Sequence, residues 1–322
     1  MVTPLLDVKG LKVEFPIFEG VVRAVEDVNV EVGAGEILGI VGETGAGKSV
    51  LLRALMRIVR APGRIVAGSV AFDGLDLLSM SERDLRSIRG RQIALIGSNP
   101  KTLLDPLARV GDQIAAVLVS HRVATARDAS KRAVELIAQV GIPDPERGVR
   151  AYAHELSGGM AQRVVIAMAL ACSPRLFLAD EPTTGLDVTV QLQILDILRD
   201  LTVSSGAAAI IVTRDLGIVA NYCHRVAVMQ SGQVVEQAHV TTFFEQARHP
   251  YSVALLNAAF AARGQREVEE LTGASVRRFE PLAACPLRDR CPLAERICSE
   301  VNPELASVGD DHFVRCHVRA RA

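Results

Sequence analysis

The chain has 322 residues, enough for one large or two ordinary domains with a sizeable core. Its 36 Lys and Arg against 37 Asp and Glu leave a net charge of −1, so no global basic field argues for nucleic acid as a partner. Apolar residues make up 49 % and aromatics only 4 %, with no Trp, which suits an aliphatic α/β core. No run reaches bilayer-spanning length and MVTPLLDVKGLKVEF lacks a charged-then-apolar leader, so a cytoplasmic protein is expected.

Strand-like segments follow in the order LKVEF, VNVEV, EILGIVG, IVAGSVAFDG, QIALIG, RLFLAD, AAIIVT, RVAVMQ and QVVEQ. Several are continuous apolar runs bounded by Gly or Asp, as in strands covered on both faces. Helical periodicity marks SVLLRALMRIV, ERDLRSIRG behind a Ser81 cap with Asp84, DASKRAVELIAQVG, AQRVVIAMALAC and TVQLQILDILRDLTVSSG. The predicted architecture is an α/β core over residues 1–96 and 164–240, interrupted by a helical subdomain at 97–163. A C-terminal extension, 241–322, begins where strands end and Pro, Arg and Cys rise.

GIVGETGAGKSV places Gly42-x4-Gly47-Lys48-Ser49 between an apolar strand and an apolar-periodic helix. Glycines let backbone N–H groups curl around phosphate oxygens, and a helix N-terminus adds partial positive charge. Gly42, Glu43, Thr44, Gly45, Ala46, Gly47, Lys48, Ser49 and Val50 are thus the candidate loop for a nucleoside triphosphate. Lys48 is suited to the β- and γ-phosphates, and the Ser49 hydroxyl to Mg²⁺. RLFLADEPTTGLD then ends an apolar strand in Asp180, a second Mg²⁺ ligand through water, followed by Glu181, a carboxylate able to polarise the attacking water.

Ser157, Gly158 and Gly159 in YAHELSGGMAQR precede a long apolar-periodic helix, a second N-terminus fit to meet an anion. Phosphate loop, LSGGMAQR and LFLADEPTTGLD, in this order, resemble the nucleotide-binding subunit of an ATP-binding-cassette (ABC) transporter over residues 5–240. The resemblance implies the P-loop NTPase, RecA-like fold, and an ATPase whose subunits pair head to tail. Ser157 to Gly159 would then serve the partner's ATP, Asp187 would lie at the dimer seam, and an aromatic, Phe18 in preference to Phe15, would stack on adenine.

Two positions depart from that family. Ser98 stands where a Gln contacting Mg²⁺ and water is expected, and Arg214 in TRDLG stands where a switch His is expected. Arg can bind phosphate but stays charged and is longer. A degenerate own site within an asymmetric heterodimer is therefore expected.

Six cysteines are few for this length, yet four crowd the last forty residues. Cys285, Cys291, Cys298 and Cys316 are spaced C-x5-C-x6-C-x17-C, without the tight C-x2-C knuckle of structural zinc. In a cytosolic chain this favours metal over disulfides, a 4Fe–4S cluster first and zinc second. Cys172 and Cys223 read as core. HPYSVALLNAA (His249 to Ala259), then LTG, then the cysteine pattern is similar to the C-terminal extension of oligopeptide, dipeptide and nickel importer ATPases. That similarity implies two integral membrane permease subunits, an extracytoplasmic substrate-binding protein, a second ATPase subunit and a peripheral place on the cytoplasmic membrane face. A soluble non-transport ABC ATPase and a non-hydrolysing ATP-binding regulator are the competing readings.

Overall fold

The computed structural model describes residues 3–261 and 283–320; the expected LTG segment, at 271–273, lies outside them. Its strands are β1 (Leu6–Ile17), β2 (Gly20–Val32), β3 (Ile37–Val41), β4 (Arg64–Phe72), β5 (Leu75–Asp76), β6 (Ile93–Ile96), β7 (Leu176–Asp180), β8 (Ala208–Thr213), β9 (Arg225–Gln230), β10 (Gln233–His239), β11 (Ala306–Gly309) and β12 (His312–Val314).

The chain divides into two compact units, the first containing residues 3–32, 38–78, 213–261 and 283–320 of those described. In it β1 pairs antiparallel with both β2 and β4 to give a sheet ordered β2-β1-β4-β5. A second set runs β11-β12-β10-β9-β3, with β9 antiparallel to β10 and parallel to β3. The β3 segment ILGIV is buried at all five positions, as its unbroken apolar run dictates. β1 and β2 run for 12 and 13 residues, well beyond the predicted LKVEF and VNVEV. The hairpin extends because Ile17 pairs with Gly20 and carries the ladder past Pro16.

The second unit contains residues 33–37 and 79–212. Its strands β6, β7 and β8 are parallel, with Ile96 opposite Ala179 and Asp180 opposite Val212. Helix Ala126–Gln139 packs against Val110–Ser120 and Gly158–Leu170. The Ser81 cap forms as predicted, its hydroxyl accepting from Asp84 N at 3.2 Å, and Thr125 caps its helix in the same way through Asp128 N at 3.3 Å.

A buried polar junction fastens the C-terminal extension into the first unit. The Glu236 carboxylate on β10 is fully buried and accepts from Arg248 N at 2.8 Å, His249 N at 3.0 Å and His312 Nε2 at 2.7 Å. Burial pushes its carboxyl up, but these donors and Ser252 outweigh burial and hold it below the usual range. Arg315, on the other side, donates to Val234 O, Pro303 O and Asp27. His249 is enclosed, its Nδ1 accepting from Tyr251 N at 3.2 Å, and burial lowers its pKa to about 4.

A proton on His249 would therefore cost both burial energy and an acceptor. Its contribution to stability is full above its usual 6.5 and drains away as pH falls from there toward about 4, by on the order of 3 kcal/mol. Urea melts across this range should show that loss. His249→Asn, whose Oδ1 can accept in place of Nδ1 without titrating, should flatten it.

Candidate nucleotide site

The phosphate loop connects β3 to helix Lys48–Leu55 within the first unit. Gly42 has φ 151°, and a Cβ there would stand 2.1 Å from Met229 O; Gly47 has φ 101°, and its Cβ would stand 2.1 Å from Ala24 O. No other residue type fits either position. The resulting curl turns carbonyls inward onto Lys48, whose side chain is buried at the helix start. Its Nζ donates to Gly42 O at 2.6 Å and to Glu43 O at 2.9 Å. Gly45, with φ 85° and open space around it, forms the outer face of the loop. Thr44 and Gly45 are exposed, Ala46 is buried, and Ser49 and Val50 begin the helix half-buried.

Arg214 is exposed in the turn that follows β8. That turn is built by its neighbours: Asp215 N donates to Thr213 Oγ1 at 3.0 Å, and Asp215 Oδ1 accepts from Gly217 N at 2.7 Å, capping helix Leu216–Tyr222. Phe18 is completely exposed at the β1–β2 turn, whereas Phe15 is packed against Gly63. Of the two aromatics, Phe18 alone is open to a planar ligand.

In the second unit, Asp180 closes β7 and Glu181 follows in the left-handed region at φ 47°. Glu181 N donates to Val212 O at 2.9 Å, and its Oε2 accepts from Thr184 Oγ1 at 2.9 Å. Ser98 is exposed two residues beyond β6, at the same C-terminal strand edge as this pair, where parallel sheets collect ligands. Ser157 Oγ accepts from Met160 N at 3.2 Å and caps helix Gly158–Leu170, leaving Gly158 exposed. Gly159 is required by packing, since a Cβ would meet Val190 Cγ1 at 2.6 Å. Asp187 caps helix Val188–Ser205 by accepting from Val190 N at 3.0 Å.

The tail cysteines share one neighbourhood in the first unit. Cys285 N donates to Cys298 O at 2.9 Å, and Cys316 Sγ accepts from Arg319 N at 3.4 Å. Burial raises the Cys285 and Cys291 thiols, and each is raised further by Cys298 and Cys316. Yet among the described residues no group of three or more His, Cys, Asp or Glu side chains is placed to hold a metal ion. Cys285, Cys291, Cys298 and Cys316 are not joined in disulfides, so all four sulfurs remain available as ligands. Cys223, expected in the core, packs on Gly39 and burial raises its pKa to about 12; Cys172 is half-buried.

A model of the family described as ABC transporter matches residues 25–184, and one described as oligopeptide/dipeptide transporter, C-terminal region, matches 235–298. A probable peptide ABC transporter ATP-binding protein, y4tR of Sinorhizobium fredii, is 45 % identical across 97 % of this chain and 94 % of its own length. The chain belongs to the ABC transporter ATP-binding family. Oligopeptide transport ATP-binding protein OppD of Bacillus subtilis is 43 % identical over 98 % of this chain and 88 % of its own. Dipeptide transport ATP-binding protein DppD of Escherichia coli is 41 % identical over 97 % and 96 %. Among solved structures, the ATP-binding cassette MJ0796, described as a dimer in a post-hydrolysis state bound to ADP and Pi, superposes with TM-score 0.67 at 25 % identity, covering 73 % of this chain and 98 % of that one.

Membership makes this chain an ABC-type ATPase with the P-loop NTPase fold, working on ATP with Mg²⁺. Among the described residues no helix is long and apolar enough to cross a membrane. Sequence reasoning missed one residue of the loop's surroundings. Tyr251 Oη accepts from Glu43 N at 2.9 Å, across 208 positions, and no spacing signal could announce that contact. Lys48→Ala should weaken ATP binding on the order of 100-fold, because two charge-assisted hydrogen bonds are lost; equilibrium titration with a fluorescent ATP analogue measures it.

Proposed function

We propose that this chain is the energy-coupling ATPase of a peptide-class importer, peripheral to the cytoplasmic face of the cell membrane. One observation carries the reading: a single chain bears both the cassette match at 25–184 and the oligopeptide/dipeptide C-terminal match at 235–298. Its partners are two integral membrane permeases, an extracytoplasmic substrate-binding protein and a second ATPase subunit. Residues 97–163 act as the helical subdomain that presents the signature.

The loop N–H groups and Lys48 hold the β- and γ-phosphates, the Gly42 and Glu43 carbonyls engaging two of the ammonium's donors and directing the remaining one at phosphate oxygens. Glu181 polarises the attacking water. Ser49 and Asp180 are hard oxygen donors that fit Mg²⁺, which when bound neutralises phosphate charge. Phe18 lies under adenine, supported by its full exposure.

Ser98 and Arg214 fall on the site built from this chain's own loop, whereas Ser157, Gly158 and Gly159, completing the partner's ATP site with Asp187 at the seam, are intact. The pair is accordingly an asymmetric heterodimer, with slow turnover here and fast turnover on the partner's loop. Glu181→Gln should keep more than about half of transport-coupled ATPase, while the matching partner change should remove it by a factor of about 100 or more. Gly158→Leu should be as damaging as the partner change, and Gly158→Ala, whose Cβ meets only Leu186 at 3.4 Å, separates the loss from a folding defect. Loss of most activity in Glu181→Gln alone refutes the asymmetry. A non-hydrolysing regulator draws on the same Ser98 and Arg214, and any strict dependence of transport on Glu181 excludes it.

The donor set of the tail fits a sulfur-rich centre. Four cysteines outside disulfides, gathered in one neighbourhood, are the ligand type a 4Fe–4S cluster takes. Cys285, Cys291, Cys298 and Cys316 would hold it, and it would supply a rigid cross-link in the tail. Anaerobically purified protein should be brown, with about four irons per chain, and Cys291→Ser should lose them while nucleotide affinity stays near normal. Colourless protein with stoichiometric zinc would replace the cluster with the second choice.

A further inference from the structure

Gly42 O and Glu43 N belong to one peptide unit. Its carbonyl receives the Lys48 ammonium at 2.6 Å, and its N–H, on the opposite edge, is received by Tyr251 Oη at 2.9 Å. Gly42 eases rotation of this peptide, because a residue without Cβ can exchange its carbonyl and N–H directions at less steric penalty. Rotated by half a turn, the unit would aim an N–H at the ammonium and remove its shortest acceptor. A phenol on the far edge opposes that rotation.

The phenol is itself fixed. Tyr251 is 5 % exposed, in a core shared with Val41, Leu256, Cys285, Leu287 and Cys298. Its backbone N–H is held by His249 Nδ1 at 3.2 Å, and His249 N by Glu236. Burial pushes the hydroxyl's pKa up to about 12, helped by the Glu43 carboxylate, so it remains a neutral phenol across the working pH range. An ionised phenolate would instead add a negative charge beside a phosphate site.

We propose that Tyr251 is a positioning residue of the phosphate loop: from the C-terminal extension it locks the Gly42–Glu43 peptide in the orientation that aims Lys48 at the incoming phosphates. The inference rests on the ATP-binding reading of that loop. It also gives the extension a role in nucleotide affinity, since the ring that holds the loop packs among the cysteine-bearing residues.

The test uses the full chain, alone for binding and in its assembled complex for turnover. Tyr251→Phe keeps the packed ring and removes only the acceptor. It should raise Kd for ATP·Mg²⁺ by about three- to tenfold, the range for one hydrogen bond, and raise KM by more than it lowers kcat. Glu43→Pro deletes the N–H that the phenol receives. In that background Tyr251→Phe should add no further change, whereas a purely packing role would leave the Tyr251 effect equal in both backgrounds and overturn the proposal. An unaltered Kd in Tyr251→Phe, with Lys48→Ala still impaired, overturns the positioning role alone. Unaltered affinity in Lys48→Ala as well overturns the ATP-site reading and this inference with it.

Discussion

A buried ammonium constrains the first unit. Lys48 is only 5 % exposed, and a charge so enclosed must be met by oriented acceptors. Those acceptors are loop carbonyls, and they can turn inward only if the chain passes Met229 and Ala24 with no side chain at residues 42 and 47. A carbonyl turned inward sends the N–H of the same peptide outward, where burial requires a partner in turn. The C-terminal extension supplies it through Tyr251. One cation thus dictates two glycines, a strand spacing and the docking of a distant helix.

The parts legible in the sequence were those whose physics is local. Unbroken apolar runs gave away β3, β7 and β8, and the Ser81 cap was readable from Ser and Asp three apart. The phosphate loop was legible because its glycine and lysine spacing answers to phosphate geometry. What stayed hidden depends on contacts between remote residues. β11 and β12 are short segments, four and three residues long, whose pairing is decided by β10 rather than by propensity. Asp187, which the resemblance puts at a dimer seam, also caps a helix, a contact the sequence reading did not specify. The Glu236, His249, His312 and Arg315 junction joins positions up to 288 apart, Arg315 to Asp27, and leaves no periodic trace.

That junction explains why the extension is integral to the first unit. A carboxylate as deeply buried as Glu236 would be destabilising if left unpaired. Its donors come from Arg248 and His249 on one side and His312 on the other, so both halves of the extension must be seated before the charge is satisfied. Arg315 repeats the logic, reaching back to Asp27 at a bulge within β2. The buried Glu236 carboxylate thus has its full set of donors only when both halves of the extension are seated.

Glu181 bears on the proposed asymmetry of the two ATP sites. A non-glycine residue at φ 47° costs on the order of 1 kcal/mol, and β-region alternatives lie close by. The conformation persists because Val212 O takes its N–H and Thr184 takes its carboxylate. Both supports are specific to this orientation, one from the neighbouring strand and one from the following turn. A carboxylate needed only to cap a turn would not require the strained backbone. The two supports hold the carboxylate in one orientation at the C-terminal end of β7. Under the proposed asymmetry, slow turnover follows more naturally than none, because loss of a positioning partner raises a barrier whereas loss of the base removes the path.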